Sequence, residues 1–240
     1  MYDALRALGR AFGSVLHPRM LAVSLWPMLA ALAVWLGLAW LYWDGWSQWL
    51  SSLIAGTEVS DWLQQHGFSR IVHYSVWVLL SLLLAPMILI TAVLIAAVIA
   101  MPLIVNFVAA RDYPALEKLH GGTVLGSVVN ALIAVLVFAG LWIVTLPLWL
   151  TGVLAPVVPV VLSAYLNQRL FRYDALSDHA SAAEYRAIRD ASWGRMYMLG
   201  ALLALLYYVP LLNLLVPVIS GLAFTHFGLT QLGELRAKNE

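Results

Sequence analysis

Apolar positions along the 240-residue chain gather into four runs without a single Asp, Glu, Lys or Arg: 20–43, 71–110, 119–168 and 196–233. A helix crossing the roughly 30 Å hydrocarbon core needs about 20 residues. The first run fits one span, 20–43. The second would be about 60 Å long as a single helix, at about 1.5 Å per residue, so it protrudes, tilts or breaks. Pro86 and Pro102 are the expected break points, because proline removes a helix donor and clashes with the preceding turn. The second span is placed at 71–105. The third run has room for two passes, a hairpin over 122–168, with a bend from Thr145 and Pro147 to Gly152. Its second half, with Pro156 and Pro159, is short. The fourth run is marginal for two passes, and Pro210 and Pro217 divide it into two short helices, a hairpin over 196–231.

Three flanking pieces read as helical without spanning. Tyr2, Leu5, Leu8, Phe12, Val15 and Leu16 recur at helical spacing, with Arg6 and Arg10 elsewhere on the wheel. That pattern predicts an interfacial helix over 1–17 with snorkelling arginines. Residues 47–63, with neighbouring Trp46 and with Trp49, Leu50, Leu53 and Trp62, read as an aromatic segment on the outer surface, within a loop over 44–70. Ser181-Ala-Ala-Glu184 is a capping-box pattern. It opens a short helix to about Trp193 inside a cytosolic loop over 169–195.

Charge sets the orientation. Arg6, Arg10 and Arg19 precede the first run, and Arg169, Arg172, Arg186, Arg189 and Arg195 separate the last two. The 44–70 connection carries Asp44, Glu58 and Asp61 against Arg70 alone. Lys and Arg favour the cytoplasmic face, which puts both termini, 111–118 and 169–195 inside and 44–70 outside. Six full crossings, and two crossings with two partly penetrating hairpins, satisfy these charges equally.

Composition narrows the function classes. Hydrophobic residues make up 63% and charged residues 10%, against about 25% charged in a soluble domain. A water-soluble enzyme domain is thereby excluded, and the fold class is an all-α integral membrane protein. It is a helical bundle with two long spans and two proline-broken hairpins. A net charge of +1 provides no field for nucleic acid. The absence of cysteine removes disulfides and thiolate sites. The first apolar run is longer than a signal-peptide core of about 7–15 residues and lacks a small-residue exit, so it reads as a retained span.

Candidate chemistry is sparse. No ionisable Asp, Glu, Lys or Arg lies within a run, which argues against proton coupling and intramembrane hydrolysis. The six histidines, at 17, 66, 73, 120, 179 and 226, share no metal-binding helical spacing. No catalytic residue, metal or cofactor is expected. The polar residues within the runs include Asn106, Asn130, Asn167, Gln168, Asn213 and His226, and interhelical hydrogen bonding worth about 0.6–2 kcal/mol each accounts for such groups. Asn213 stands between Pro210 and Pro217. A helix broken at membrane depth exposes helix N-termini, which favour anions. A re-entrant turn capped by the asparagine gives the same pattern. Arg19 after His17-Pro18 is either an anion contact at a helix start or an ordinary cytosolic anchor.

Val209-Pro-Leu-Leu-Asn-Leu-Leu-Val-Pro217, followed by Gly221-Leu-Ala-Phe-Thr225, resembles the closing motif of the CysZ sulfate-transporter family and its wider etoposide-induced-protein superfamily. The opening stretch over 4–27, with Pro18 and Pro27 nine residues apart, and Ala100-Met-Pro-Leu-Ile-Val-Asn106 are similar to further parts of the pattern. The resemblance covers about residues 4–228. It implies an inner-membrane bundle, assembly as a homo-oligomer and passage of sulfate. Two features depart from the family. Its Gly-x-Arg anion motif falls here on Arg19, Leu21 and Ala22, with Arg19 at the glycine position. The connection from 112 to about 123 is also shorter. The resulting expectation is a protein partnered by the lipid bilayer that passes a small solute such as an inorganic anion. Pro210, Asn213 and Pro217 would shape the pathway and Arg19 would attract anions at its mouth. Asn106, Asn130 and His226 are secondary polar candidates. The alternative is a non-transporting scaffold whose prolines only form hairpins.

Overall fold

The computed structural model describes residues 2–55, 57, 60, 62, 65–66, 69–149, 152–210 and 212–239. Among them every regular element is helical. The helices are α1 (Tyr2–Val15), α2 (Pro18–Ile54), α3 (Ser69–Asp112), α4 (Val124–Trp149), α5 (Val157–Leu176), α6 (Ala182–Leu206) and α7 (Val216–Asn239), with a 3-10 turn at Leu212–Leu214 before α7. The chain forms two compact units. One comprises Leu25–Val98, the other Met1–Ser24 together with Ile99–Glu240.

In the Leu25–Val98 unit, Leu50, Val76 and Leu80 form a buried cluster covered by Trp43, Trp46 and Ile54. Trp43 meets Trp77 edge to face at 5.6 Å. Trp35 donates from Nε1 to Thr91 Oγ1 at 2.9 Å, satisfying an indole that lipid would leave unpaired.

The larger unit is built around α7. Every residue from Val218 to Leu229 is buried, so this helix is enclosed on all faces. Packing against α1, α5 and α6 provides the cover. The α5–α6 hairpin is tight because of Gly200: a Cβ there would lie 2.6 Å from the Ala164 carbonyl oxygen. Asn167 Nδ2 donates to the Gly200 carbonyl across the same contact, at 3.4 Å. Gly221 likewise admits Ile104 and Met101 against α7, each 2.9 Å from a built Cβ. The stretch Leu119–Gly122 is laced to the 177–180 turn by four backbone N–H donors.

The apolar character of α4 decides the medium. Over Leu125–Leu148 its mean hydropathy is 2.5, yet only 6% of that window is buried within the chain. The core helix of a soluble protein would be covered. An uncovered apolar helix of this length belongs in lipid. Pro18–Ile54 is also long and apolar enough to cross. The chain is an all-α membrane protein.

Several element boundaries differ from the sequence expectation. Pro86 and Pro102 do not break α3, which runs unbroken to Asp112, past the expected end at 105. Helix α2 continues past position 43 to Ile54, so the start of the 47–63 segment, expected as a separate non-spanning helical piece, is continuous with the first span. The rest of the 47–63 segment lies largely outside the described residues. The capping box of α6 is present, but the helix runs on to Leu206 rather than stopping near Trp193. The 169–195 segment is accordingly a pair of helix ends joined at 177–181, not a loop. In the fourth run Pro210 does interrupt the chain, but the flanking helices are long because they continue into the charged segments.

The face of α1 that packs within the chain is made mainly of small residues. Ala4, Ala7, Ala11, Ser14 and Val15 are covered, while Tyr2, Leu5 and Leu16 are exposed. Small residues let α1 approach α7 closely. Leu5 and Leu16 are left outward, and Arg6 stacks on Tyr2 at 4.3 Å.

Candidate functional site

The turn between α6 and α7 is shaped by its prolines. Tyr207, Tyr208 and Val209 donate backbone N–H groups to carbonyls three residues back, so α6 tapers into tighter turns. The residue before a proline is pushed away from helical geometry, and α6 ends at Leu206, short of Pro210. Asn213 N donates to the Val209 carbonyl at 3.3 Å. Pro217 is the second residue of α7, where an N–H would have no helical partner in any case. Pro210, Asn213 and Pro217 are all exposed on the surface of the chain. Arg19 is exposed too. Its backbone N–H donates to His17 Nδ1 at 3.2 Å, and among the described residues no acid pairs with its side chain.

The secondary candidates separate. Asn106 is an exposed acceptor for Lys118 Nζ at 2.7 Å, tying α3 to the connection that follows it. Asn130 Nδ2 donates to the Arg169 carbonyl at 3.0 Å and joins α4 to α5. Asn130 thus acts as an interhelical contact, and Asn106 as a contact from helix to connection. His226 belongs to something larger.

His226 is 1% exposed. Its Nε2 lies 3.1 Å from Ser14 Oγ on α1. Its Nδ1 has no hydrogen-bond partner and stands 3.8 Å from Asp112 Oδ2 at the end of α3. The Tyr113 hydroxyl accepts from Arg10 Nη1 at 3.0 Å. It donates to the His226 carbonyl at 3.2 Å and lies 2.7 Å from Thr230 Oγ1. Three elements therefore meet at one polar cluster. A cavity of about 470 Å³ opens beside it, lined by Arg10, Asp112, Tyr113, Thr230 and Glu234 among others. Both signs of charge line it, so it does not act as a plain anion trap. Of this cluster the sequence offered His226 alone, as a polar residue of the fourth run. Ser14 and Asp112 reach the histidine from 212 and 114 positions away, which no local pattern can reveal.

A second cavity, of about 280 Å³, lies between Gly121, Gly122, Tyr173, Ser177 and Tyr185. Neither cavity is lined by Pro210, Asn213, Pro217 or Arg19. The structure does not join Arg19 to the 207–217 turn through any hydrogen bond or ion pair among the described residues. No group of three or more His, Asp or Glu side chains among them could hold a metal.

Outside the apolar runs, Arg236 of α7 gathers the loop ends. It donates from Nε to Glu184 Oε1 at 2.8 Å, from Nη2 to the His179 carbonyl at 2.8 Å and from Nη1 to the Glu117 carbonyl at 3.1 Å. The Arg236 hydrogen bond holds the Glu184 carboxyl below its usual range. Burial pushes the His179 ring below its usual value, and nearby Lys118 lowers it further.

No curated protein and no solved structure matches the chain significantly. One family profile does match, over residues 7–217, and it contains both proline-bearing ends of the pattern, from Pro18 to Pro217. The chain therefore belongs to the family described as Sulfate transporter CysZ/Etoposide-induced protein 2.4.

Proposed function

We propose that this protein passes a small inorganic anion, sulfate or one like it, across the bacterial inner membrane, with both termini in the cytosol and without proton coupling. Family membership over residues 7–217 carries the reading. Two features support it. The apolar runs hold no Asp, Glu, Lys or Arg, so a solute there meets amides, hydroxyls and backbone ends. Pro210, Asn213 and Pro217 are exposed on the single chain, so a pathway at this turn is closed by a second copy, as in a homo-oligomer.

The test is uptake of sulfate, sulfite and chloride by vesicles reconstituted with the purified protein. Uptake above that of empty vesicles for at least one anion supports the reading. Rates equal to empty vesicles for all three overturn it. That outcome favours a non-transporting scaffold, which the residues Leu21 and Ala22 at the family's anion-motif positions also favour.

A further inference from the structure

Arg172, near the C-terminal end of α5, is only 8% exposed. Its Nη1 donates to Gln168 Oε1 at 2.9 Å and its Nε to the Tyr185 hydroxyl at 3.2 Å. The Tyr185 ring lies 5.7 Å from its Cζ. Every one of these partners is neutral. Among the described residues no carboxylate lies within ion-pair distance of Arg172. Asp190 feels its charge from further off, but that carboxylate is held by Arg189 at 2.7 and 3.2 Å.

Arg169 stands three residues earlier, on the same face of α5. Its Nη1 donates to the Tyr165 hydroxyl at 3.0 Å. Its Nε is sealed from solvent and has no acceptor. Two guanidinium groups thus share a stripe with unused donors and no counter-charge. Each of the tyrosine hydroxyls accepts from an arginine and keeps its own proton to donate. A buried cation without a counter-ion is costly, and chains keep one where the missing charge comes from elsewhere.

We propose that Arg172 and Arg169, with Tyr165 and Tyr185, form a binding site for a tetrahedral oxyanion, sulfate or phosphate, free or carried on a lipid headgroup. The guanidinium fork suits such oxygens, since it can offer two parallel N–H donors. The site shares no residue with Arg19 or the 207–217 turn, and it does not rest on the transport reading.

The test is thermal unfolding of the full chain in neutral detergent, with sulfate or inorganic phosphate added at ionic strength held constant with chloride. A parallel arm compares phosphatidylglycerol with phosphatidylcholine vesicles. A free oxyanion is expected to raise Tm saturably. If the headgroup is the source, phosphatidylglycerol raises it instead. In either case Arg172→Gln weakens the effect at least tenfold, and Arg169→Gln severalfold. If Arg172→Gln does not fold, Arg169→Gln and Tyr185→Phe must each still weaken it severalfold. No stabilisation of the wild type by any of these anions overturns the proposal. So does stabilisation that the variants leave unchanged.

Discussion

The Glu184 carboxylate serves two helices at once. It accepts from the Ser181 backbone N–H at 2.7 Å to complete the cap of α6, and it pairs with Arg236 of α7, the two side chains only 18% and 21% exposed. Its lowered pKa means that the folded state favours the charged form. The stability it adds is present above the ordinary carboxylate pKa of about 4.3 and is lost as pH falls through the folded value. His179 acts in the same direction by a different route. Its lowered pKa favours the neutral ring, so its contribution is present above about 6.5 and erodes as pH falls below that. Tm in detergent should therefore decline from about pH 6.5 downward, and Glu184→Gln should flatten the lower part of that decline. Arg236→Ala should cost about 2 kcal/mol, the scale of hydrogen bonds to charged groups; an unchanged Tm would contradict the network. The capping box was legible in the sequence because Ser181 and Glu184 are three residues apart. Arg236 lies 52 residues from Glu184, and only the fold brings them together.

At the scale of elements, prolines behave according to what surrounds them. A proline within an otherwise regular helix costs about 3 kcal/mol. A break in lipid strands several backbone groups at several kcal/mol each. Continuing through Pro86 and Pro102 is the smaller penalty, and α3 does so. Around Pro210 a second proline follows seven residues later, and the intervening chain closes a 3-10 turn instead. The number and period of the apolar runs could be read from sequence, because lipid demands them. Helix ends were less legible, since the flank at 44–54 and the charged flank at 169–195 continue a helix as readily as they leave it. The close-packed face of α1 gave little signal in the sequence because alanine is only weakly hydrophobic, yet packing against α7 selects it. The same logic sets a test at Gly200. Gly200→Ala puts a Cβ 2.6 Å from the Ala164 carbonyl, and overpacking of this kind costs about 1–3 kcal/mol. Tm should fall accordingly. An unchanged value would mean that α5 and α6 are not in close contact there.

At the scale of the whole molecule, the apolar runs, the exposed surface of α4 and the family match agree on a membrane protein of the sulfate-transporter family. The candidate pathway was legible as a sequence motif, but its surroundings were not. Asn213 lies exposed between exposed prolines, and the enclosed polar cluster instead forms at His226, from residues scattered along the chain. If Asn213 lies on the pathway, Asn213→Ala should change sulfate flux severalfold while leaving the unfolding free energy within about 0.5 kcal/mol of wild type, the usual range for surface substitutions. Arg19→Ala should lower flux if that guanidinium draws anions to the mouth; unchanged flux removes it from the pathway. The most direct measurement is sulfate flux into reconstituted vesicles down its own gradient, with and without an imposed pH gradient. A rate above empty vesicles that the pH gradient leaves unchanged is the predicted result. A rate equal to empty vesicles for sulfate and likewise for sulfite and chloride, or one that appears only with the pH gradient, would contradict uncoupled anion passage.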